Sequence, residues 1–403
     1  MLSWDLTPSV SSMRCDRAWV EIDLAALAHN VWQLRQRLAS STELMTVVKA
    51  DAYGHGAVTV AQTALQHGAS WLGVATIPEG IELREAGINA PILLLGATNT
   101  SEQVRTIVQW NLQPTICTFK QALVFSKTIA ILKAEPIPVH LKLDTGMSRL
   151  GVPWQQAVEF VDRVAQLPYL QIASIYSHFA TADSLDPTIM HLQNSRYQAM
   201  IDQITSLGVL SPRLRLHMAN SAATLTDSTL HYDLVRVGLA TYGLYPAPHL
   251  RGTIDLEPVM QVKARVTQVK TIQPGTGVSY GYQYVADRQI LMAVVGIGYA
   301  DGIHRNLSNR MTALIRGQRV PQIGAITMDQ LMLDVSTIPD LQEGEVVTLL
   351  GQDGKEMISA DDWAETLGTI SWEILCSFKH RLPRVAVGQS FLALQNKCGI
   401  KVE

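Results

Sequence analysis

The sequence predicts an α/β protein with an N-terminal (β/α)8 barrel of the TIM type and a C-terminal, mostly antiparallel β domain. Eight apolar runs alternate with helical patterns through roughly the first 240 residues, which is typical of parallel strands joined by helices. After Pro258, short β-rich runs separated by turn signals replace this alternation, which favours antiparallel strands. A chain of 403 residues is long enough to form both domains.

The predicted barrel strands lie between amphipathic helices. Leu24, Leu27, Val31, Leu34 and Leu38 keep one face of a helix that Asp23 is expected to cap. Pro78 and Gly87 frame a second helix over 79–86. An early run, 17–22, makes a ninth strand that we expect outside the barrel. The eight barrel runs are 44–49, 71–75, 91–95, 113–117, 138–143, 170–177, 213–217 and 234–237.

The β domain is predicted from four runs, 262–272, 289–297, 311–315 and 345–350, with turn signals at Pro274-Gly275 and Asp353-Gly354. We therefore expect a barrel domain over 1–257 and a β domain over 258–403. Residues 1–22 are expected to associate with the β domain.

Composition describes an ordinary globular protein, with 47% hydrophobic and 17% charged residues. A net charge of −3 argues against nucleic-acid partners and gives no reason to expect a membrane partner. Met1 to Arg14 lacks the pattern of a signal peptide. The four cysteines (Cys15, Cys117, Cys376, Cys398) are scattered without metal-ligand spacing, so we expect a reducing, cytoplasmic location and no metal.

The segment M-T-V-V-K-A-D-A-Y-G-H-G, residues 45–56, is the most informative in the chain. An apolar, β-branched run ends in Lys49, and glycines follow at once, which indicates a strand that delivers an amine to the end of a sheet. Burial disfavours the ammonium form, and a neutral amine forms a Schiff base with an aldehyde such as pyridoxal phosphate. The plain alternative is a strand-end lysine that reaches solvent.

Other polar residues follow the predicted barrel strands, where barrel enzymes carry their chemistry. Each has a structural alternative: a buried histidine, a helix cap for Ser221, or a surface charge for Arg149. Because these residues all converge on one rim of the barrel, a functional site is favoured over separate structural roles. The loops after strands seven and eight are also the common phosphate-binding site of such barrels. The residues are Lys142 and Arg149 around strand five, His178 after strand six, Asn220 and Ser221 after strand seven, and Arg236 to Gly238 at strand eight.

The segment V-V-K-A-D-A-Y-G-H-G closely resembles the cofactor-lysine motif of alanine racemases. Further segments match that family in order, so the resemblance runs from about residue 16 to 390: D-T-G-M-S-R-L-G, S-H-F-A-T-A-D, N-S-A-A, R-V-G-L-A-T-Y-G-L-Y-P, G-V-S-Y-G, G-I-G-Y-A-D-G and M-D-Q. The resemblance implies a pyridoxal 5'-phosphate enzyme that interconverts L- and D-alanine. It also implies a head-to-tail homodimer, in which each active site uses one subunit's barrel and the other's β domain.

The same resemblance assigns roles by position. Lys49 would hold the cofactor and act as one catalytic base, and Tyr280 of the partner chain would be the second base. Arg149 would steer the cofactor and the substrate carboxylate, and Lys142 is a candidate for carbamylation. Tyr53, Ser221 and Gly238 would bind the phosphate, and Arg236 would face the pyridine nitrogen with support from His178. Asn220 and Trp372 would complete the set of cofactor-binding residues. Met328 and Tyr299 would line the substrate's access path, with Asp329 nearby.

The chain departs from the family pattern at three positions. Trp372 stands where a phosphate-binding tyrosine is usual, and indole N–H donates but cannot accept a hydrogen bond. Asp51 stands where asparagine is common, and Ala325 where some members have an arginine. These departures bear on cofactor affinity and substrate access, while the reaction class is unaffected.

Two other functions stay open at this point. Another amino-acid racemase or a decarboxylase could use this scaffold, although a decarboxylase does not need Tyr280 opposite the lysine. A non-catalytic carrier of pyridoxal phosphate would resemble the barrel alone, whereas this chain continues for about 145 residues beyond it. A role in supplying D-alanine as a peptidoglycan precursor and a catabolic role are both compatible with the sequence.

Overall fold

The computed structural model describes residues 17–208, 211, 213–378 and 380–388. They form two compact units, each described below by itself. The barrel unit consists of Ala26–Ala52 and Gly56–Glu257, and the β unit contains the described parts of 17–25, 53–55 and 258–388. Cys117 is buried and Cys376 exposed, and neither forms a disulfide within the described residues, whereas Cys15 and Cys398 lie outside the described residues.

Strand β1 (Ala18–Asp23) leads directly into helix α1 (Leu24–Arg37). The Asp23 carboxylate accepts a hydrogen bond from the backbone N–H of Ala25 at 2.9 Å, which satisfies one of the free donors at the start of the helix. The apolar face predicted for this helix is buried at Leu27, Val31 and Leu34.

The chain then alternates between strands and helices. The elements are β2 (Glu43–Val47), α2 (Lys49–Gly54), α3 (Ala57–Gln66), β3 (Trp71–Val74), α4 (Ile77–Glu85), β4 (Ile92–Ala97), α5 (Ser101–Gln109), β5 (Gln113–Ile116), α6 (Phe119–Leu132), β6 (Ile137–Asp144), β7 (Val152–Pro153), α7 (Ala157–Ala165), β8 (Leu170–Tyr176), α8 (Thr188–Ser206), β9 (Arg215–His217), α9 (Ser221–Thr226) and β10 (Leu234–Val237).

The barrel unit confirms the predicted fold. Eight strands pair in parallel in the order β10-β2-β3-β4-β5-β6-β8-β9. The two end strands, β9 and β10, also meet, because Asp233 N donates to Leu216 O at 3.1 Å and Arg236 N donates to Ala219 O at 3.0 Å. The strands thus form a nearly closed barrel, whose carboxyl ends lie at one rim.

The segment after the first barrel strand differs from the predicted loop. Strand β2 ends at Val47 rather than at Lys49, and Lys49 begins α2. Residues Ala50 to Tyr53 have φ between 53° and 55°, so α2 is a left-handed turn, which costs L-residues about 1–2 kcal/mol each. Two carboxylates stabilise this left-handed turn: that of Glu79 accepts a hydrogen bond from Ala50 N at 2.7 Å, and that of Asp51 accepts one from Ala57 N at 2.8 Å.

The β unit confirms a mostly antiparallel second domain. Its sheet has the order β16-β15-β18-β11-β1-β20, with β14 and β17 attached through β11 and β19 through β18, and β12 and β13 form a separate ribbon. Only the β1–β20 pair of this sheet is parallel among the described strands. The strands are β11 (Met260–Ile272), β12 (Gly277–Val278), β13 (Tyr284–Val285), β14 (Ile290–Val295), β15 (Thr312–Ile315), β16 (Gln318–Pro321), β17 (Leu331–Asp334), β18 (Val346–Asp353), β19 (Glu356–Ile358) and β20 (Arg384–Val387).

Two helices in the β unit were not predicted, α10 (Ala360–Leu367) and α11 (Ser371–Ser377). The Ser359 hydroxyl and the Asp362 carboxylate form a reciprocal cap at the start of α10. This capping pattern is visible in the sequence, but the prediction of a β-rich domain did not use it. Helix α11 carries Trp372. In the parts of the chain given above, no helix is both long enough and apolar enough to cross a membrane.

Candidate active site

Cationic side chains gather at the carboxyl rim of the barrel unit. Lys142 lies near the end of β6 and is buried, Lys49 is half-buried, and Arg149 is exposed in the loop after β6. Burial, together with the positive charges of Arg236, Arg149 and Lys49, lowers the pKa of Lys142 to about 8. These predicted residues therefore lie in one electrostatic neighbourhood, as their strand positions indicated.

Arg236 is the buried centre of this group, with only 4% of its surface exposed. Its guanidinium donates to His217 Nδ1 at 2.7 Å and to His178 Nδ1 at 3.1 Å, and to two backbone carbonyls, Ser177 O at 2.8 Å and Met218 O at 3.0 Å. None of these four acceptors carries a negative charge. Burial lowers the pKa of Arg236 to about 10, so the group stays cationic at neutral pH and its charge is available to an electron-rich ligand.

His178 is held beside Arg236, as the sequence predicted. Burial lowers the pKa of His178 well below its ordinary value, and the charge of Arg236 adds to the effect. A neutral imidazole whose Nδ1 accepts from a guanidinium fits the supporting position that the resemblance implied.

The loops after β9 and β10 meet at Ser221. The Ser221 hydroxyl oxygen accepts from Gly238 N at 3.1 Å and from Ala240 N at 3.4 Å. The cap of α9 is Asn220, whose side chain accepts from Ala223 N at 3.0 Å, so Ser221 is not the helix cap. The predicted phosphate residues of these two loops are therefore together, and both Ser221 and Gly238 are buried.

Tyr53 and Trp372 belong to the β unit. Tyr53 is buried, which raises the pKa of its phenol. Next to it, Gly54 accepts a hydrogen bond from Arg384 Nε at 3.0 Å, and a Cβ at Gly54 would lie 2.6 Å from Leu375 O. Only glycine fits this close approach to α11. Trp372 is half-buried in the same helix.

Tyr280 lies at a tight turn on the surface of the β unit, with 71% of its surface exposed. The residue before it, Ser279, has φ 62°, and its hydroxyl donates to Ala325 O at 2.7 Å. This bond fixes the Tyr280 turn to the segment that leads to Met328. Tyr280 and Thr327 line one open cleft of about 900 Å³.

The predicted access-path residues lie beside that segment. Tyr299 N donates to Thr327 O at 2.9 Å, and Ala300 N donates to Met328 O at 3.0 Å. Arg381 donates to the Asp329 carboxylate at 2.8 Å. The β unit therefore brings Tyr299, Met328 and Asp329 together, next to Thr327, which lines the same cleft as Tyr280.

The sequence interpretation missed several polar residues inside the barrel. His140, Ser174 and His217 are fully buried next to Lys142, Tyr176 and Arg236. The sequence does indicate their burial. The segments V-H-L-K, S-I-Y and R-L-H place polar side chains at alternate positions of apolar strands, and alternate residues of a strand share one face. In a closed barrel that face points inward.

Comparisons with known proteins agree along the chain. The profile of the alanine racemase N-terminal domain matches residues 22–246, and that of the alanine racemase C-terminal domain matches 259–386. An alanine racemase of Nostoc sp. is 68% identical over 94% of this chain and 99% of its own length. A crystal structure of alanine racemase from Bacillus anthracis with bound L-Ala-P is 34% identical, with a TM-score of 0.86 over 92% of this chain and 95% of that one.

A racemase with another substrate also has this fold. The histidine racemase of Leuconostoc mesenteroides is 28% identical, with a TM-score of 0.83 over 92% of this chain and 98% of that one. The two-domain scaffold is therefore compatible with racemases of more than one amino acid.

Proposed function

This chain belongs to the alanine racemase family, and on that premise we propose which of its residues carry the interconversion of L-alanine and D-alanine. The family consists of pyridoxal-phosphate racemases. We assign Lys49 and Tyr280 as the catalytic bases and the residues at the barrel rim as cofactor ligands. The observation that carries it is the buried cation Arg236, held by four neutral acceptors beside Lys142.

The rim of the barrel unit fits pyridoxal 5'-phosphate. Its cations suit an anionic phosphate. The Ser221 oxygen accepts from Gly238 N and Ala240 N, so its hydroxyl hydrogen can be donated to a phosphate oxygen. Lys49 would hold the cofactor through its amine, and Arg236 would face the pyridine nitrogen. The other proposed cofactor ligands are Tyr53, His178, Asn220, Ser221, Gly238 and Trp372. When bound, the cofactor supplies an electron-withdrawing ring that stabilises negative charge at the substrate Cα.

The protein's own groups move the proton. Racemisation at Cα removes a proton from one face and returns one to the opposite face, so it needs two groups that can each accept and donate. We assign one face to the Lys49 amine and the other to the Tyr280 phenol. Arg236 cannot give up its proton near neutral pH, so it limits how strongly the ring withdraws electrons, which suppresses side reactions such as transamination.

Substrate placement follows from the remaining residues. Arg149 would bind the alanine carboxylate through its planar, bidentate guanidinium. Tyr299 and Met328 would narrow the access path, with Asp329 beside them, and this narrowing favours a small side chain. Carbamylated Lys142 would supply the negative charge that orients Arg149.

We propose further that Tyr280 reaches the barrel of a second copy of the chain in a homodimer. In support, the β unit exposes a group of large apolar and aromatic side chains, which soluble proteins usually cover with a partner: Tyr280, Tyr282, Val285, Tyr299 and Met328. The division into domains 1–257 and 258–403 is part of this proposal. Pairing of β1 with β11 and β20 supports the association of the N-terminal strand with the β domain.

The test is direct. Purified protein with pyridoxal 5'-phosphate and L-alanine should form D-alanine, and the rate should vanish in Lys49→Ala. Release of carbon dioxide without D-alanine would indicate a decarboxylase, and faster turnover of L-histidine than of L-alanine would indicate another racemase. A cytoplasmic location and a role in supplying D-alanine for peptidoglycan are proposals that cell fractionation and a D-alanine auxotrophy assay would decide.

A further inference from the structure

A chain of five polar side chains crosses the interior of the barrel. It runs from Arg236 through His217, Ser174 and His140 to Gln113. The joined atoms are Arg236 Nη1 and His217 Nδ1 at 2.7 Å, His217 Nε2 and Ser174 Oγ at 2.9 Å, Ser174 Oγ and His140 Nδ1 at 2.6 Å, and His140 Nε2 and Gln113 Oε1 at 2.8 Å. We call this chain the barrel relay.

The direction of every hydrogen bond in the barrel relay is fixed at its Arg236 end. A guanidinium only donates, so His217 Nδ1 must accept and carries no proton. The proton of a neutral His217 is then on Nε2, which donates to Ser174 Oγ. Ser174 has a single hydrogen to donate, and among the described residues the other partner of its hydroxyl is His140 Nδ1, so directing the hydrogen there leaves no buried donor unpaired.

The last step follows in the same way. His140 Nδ1 accepts, so the proton of His140 is on Nε2 and donates to the Gln113 carbonyl oxygen. The opposite direction is disfavoured, because a Gln113 amide that donated to His140 Nε2 would put the His140 proton on Nδ1. Ser174 would then accept from both rings, and its own buried hydrogen would have no partner among the hydrogen bonds of the described residues.

Burial keeps both imidazoles neutral, as the barrel relay requires. It lowers the pKa of His140 to about 3 and the pKa of His217 well below its ordinary value. Aromatic packing also holds both rings. His217 stacks on Tyr176 with ring centroids 4.7 Å apart, and His140 meets the edge of Trp71 at 5.7 Å.

We propose that Ser174 and His140 are positioning residues of the racemase: through His217, they aim the Arg236 guanidinium at the cofactor ring. Neither residue lies at the rim: Ser174 accepts the Nε2 hydrogen of His217 and so holds the orientation of that ring, and His140 acts only by orienting the Ser174 hydroxyl. The geometry of the barrel relay stands by itself, while its effect on the reaction rests on the proposed role of Arg236.

The first test locates the protons directly. Neutron diffraction from deuterium-exchanged crystals of the full-length protein should show deuterium on Nε2 of His217 and of His140, and none on Nδ1 of either ring. Deuterium on Nδ1 of His217, or on both nitrogens of either ring, would overturn the barrel relay. This result does not depend on the reaction that the protein catalyses.

The second test separates positioning from packing. Ser174→Ala should lower kcat by about 3- to 10-fold, the effect of one misaligned hydrogen bond, and leave KM for L-alanine unchanged. Ser174→Thr keeps the hydroxyl and should retain wild-type kcat. Ser126→Ala, which removes another buried hydroxyl on α6, is the matched control and should also retain kcat.

Each outcome is decisive. Wild-type kcat in Ser174→Ala would refute the positioning role, even if neutron data confirm the protons. Equal losses in Ser174→Ala and Ser126→Ala would show a packing effect and also refute it. If the wild-type protein fails to racemise alanine, the proposed function fails, and the neutron experiment still decides the relay.

Discussion

The Nζ atom of Lys142 lies 5.0 Å from the centroid of the Tyr176 ring, and the Arg236 guanidinium lies 5.2 Å from the same centroid. Among the described residues, neither cation forms a salt bridge. Two buried cations that share one ring repel each other, so the site lacks a negative charge that a modification or a ligand can supply.

We predict that carbamylation of Lys142 supplies this charge. Carbon dioxide adds to a neutral amine with loss of a proton, and the lowered pKa of Lys142, about 8, makes the neutral form more populated near neutral pH than in an ordinary lysine. Because the neutral fraction of the amine grows with pH, the carbamylated fraction of Lys142 should rise as pH increases from 6 towards 9 and fall in acid. NMR of protein in ¹³C-bicarbonate should show a carbamate signal with this pH dependence.

Lys142→Gln is the control and should remove that signal. A high-resolution map with a bare ammonium and no anion nearby would contradict the prediction. A bound chloride would solve the same charge problem by another route and would leave the carbamate prediction wrong.

Lys49 should carry the cofactor. Lys49 begins α2 just beyond the buried strand β2, and a lysine amine can form a Schiff base with the aldehyde of pyridoxal phosphate. Borohydride reduction of the loaded protein and peptide mass mapping should place the pyridoxyl group on Lys49. Label on Lys142 in the wild-type protein, or retained labelling in Lys49→Ala, would show that another amine holds the cofactor.

Asp301 should anchor the loop that carries Tyr299. Its carboxylate is fully buried and accepts from Arg17 at 2.8 and 2.7 Å and from Gly298 N at 3.0 Å. Asp301→Asn should lower the free energy of unfolding by about 2 kcal/mol, since it breaks a largely buried ion pair. Urea unfolding measures the change, and Asp329→Asn, which breaks the exposed pair with Arg381, should lose less than about 1 kcal/mol. Equal losses would contradict the anchoring role.

The barrel was predictable because its signals are local. Alternating apolar runs and helical patterns gave all eight strands, and polar residues after those runs gave the rim, including Lys142 and Arg236. The left-handed turn at Ala50 to Tyr53 was not predictable from propensity, because these residue types avoid positive φ and only the surrounding contacts, such as Glu79 with Ala50 N, hold them there.

The barrel relay shows a different limit. His140, Ser174 and His217 sit at alternating strand positions that point inward, so their burial could have been predicted. Their order in space could not, since it depends on which strands are neighbours across the barrel and on the lengths of the side chains between them.

Trp372→Tyr should tighten cofactor binding. Both an indole N–H and a phenol O–H can donate to a phosphate oxygen, and the phenol, which can also accept, is the group that the family resemblance implies at the phosphate. The expected gain is about 1 kcal/mol, the value of a single hydrogen bond, and equilibrium dialysis of pyridoxal 5'-phosphate measures it. Trp372→Phe, which has no donor, should bind more weakly than wild type. Unchanged or weaker binding by the tyrosine variant would show that the indole already fills the role.

Complementation between two inactive variants tests the two-chain site. Lys49 and Tyr280 lie in different units of the chain, and the proposed dimer takes Lys49 from one copy and Tyr280 from the other. Lys49→Ala and Tyr280→Phe homodimers should both be nearly inactive. After joint unfolding and refolding in equal amounts, about half of the dimers should be mixed under random pairing.

In a mixed dimer, one site would receive both lesions and the other neither. About a quarter of all sites should therefore regain full activity, whereas two bases from the same chain would leave one lesion in every site. Each variant unfolded and refolded alone is the control, and it should stay inactive. Native mass spectrometry should confirm the mixed dimers, because absence of activity in their presence would mean that Lys49 and Tyr280 of one chain serve the same site.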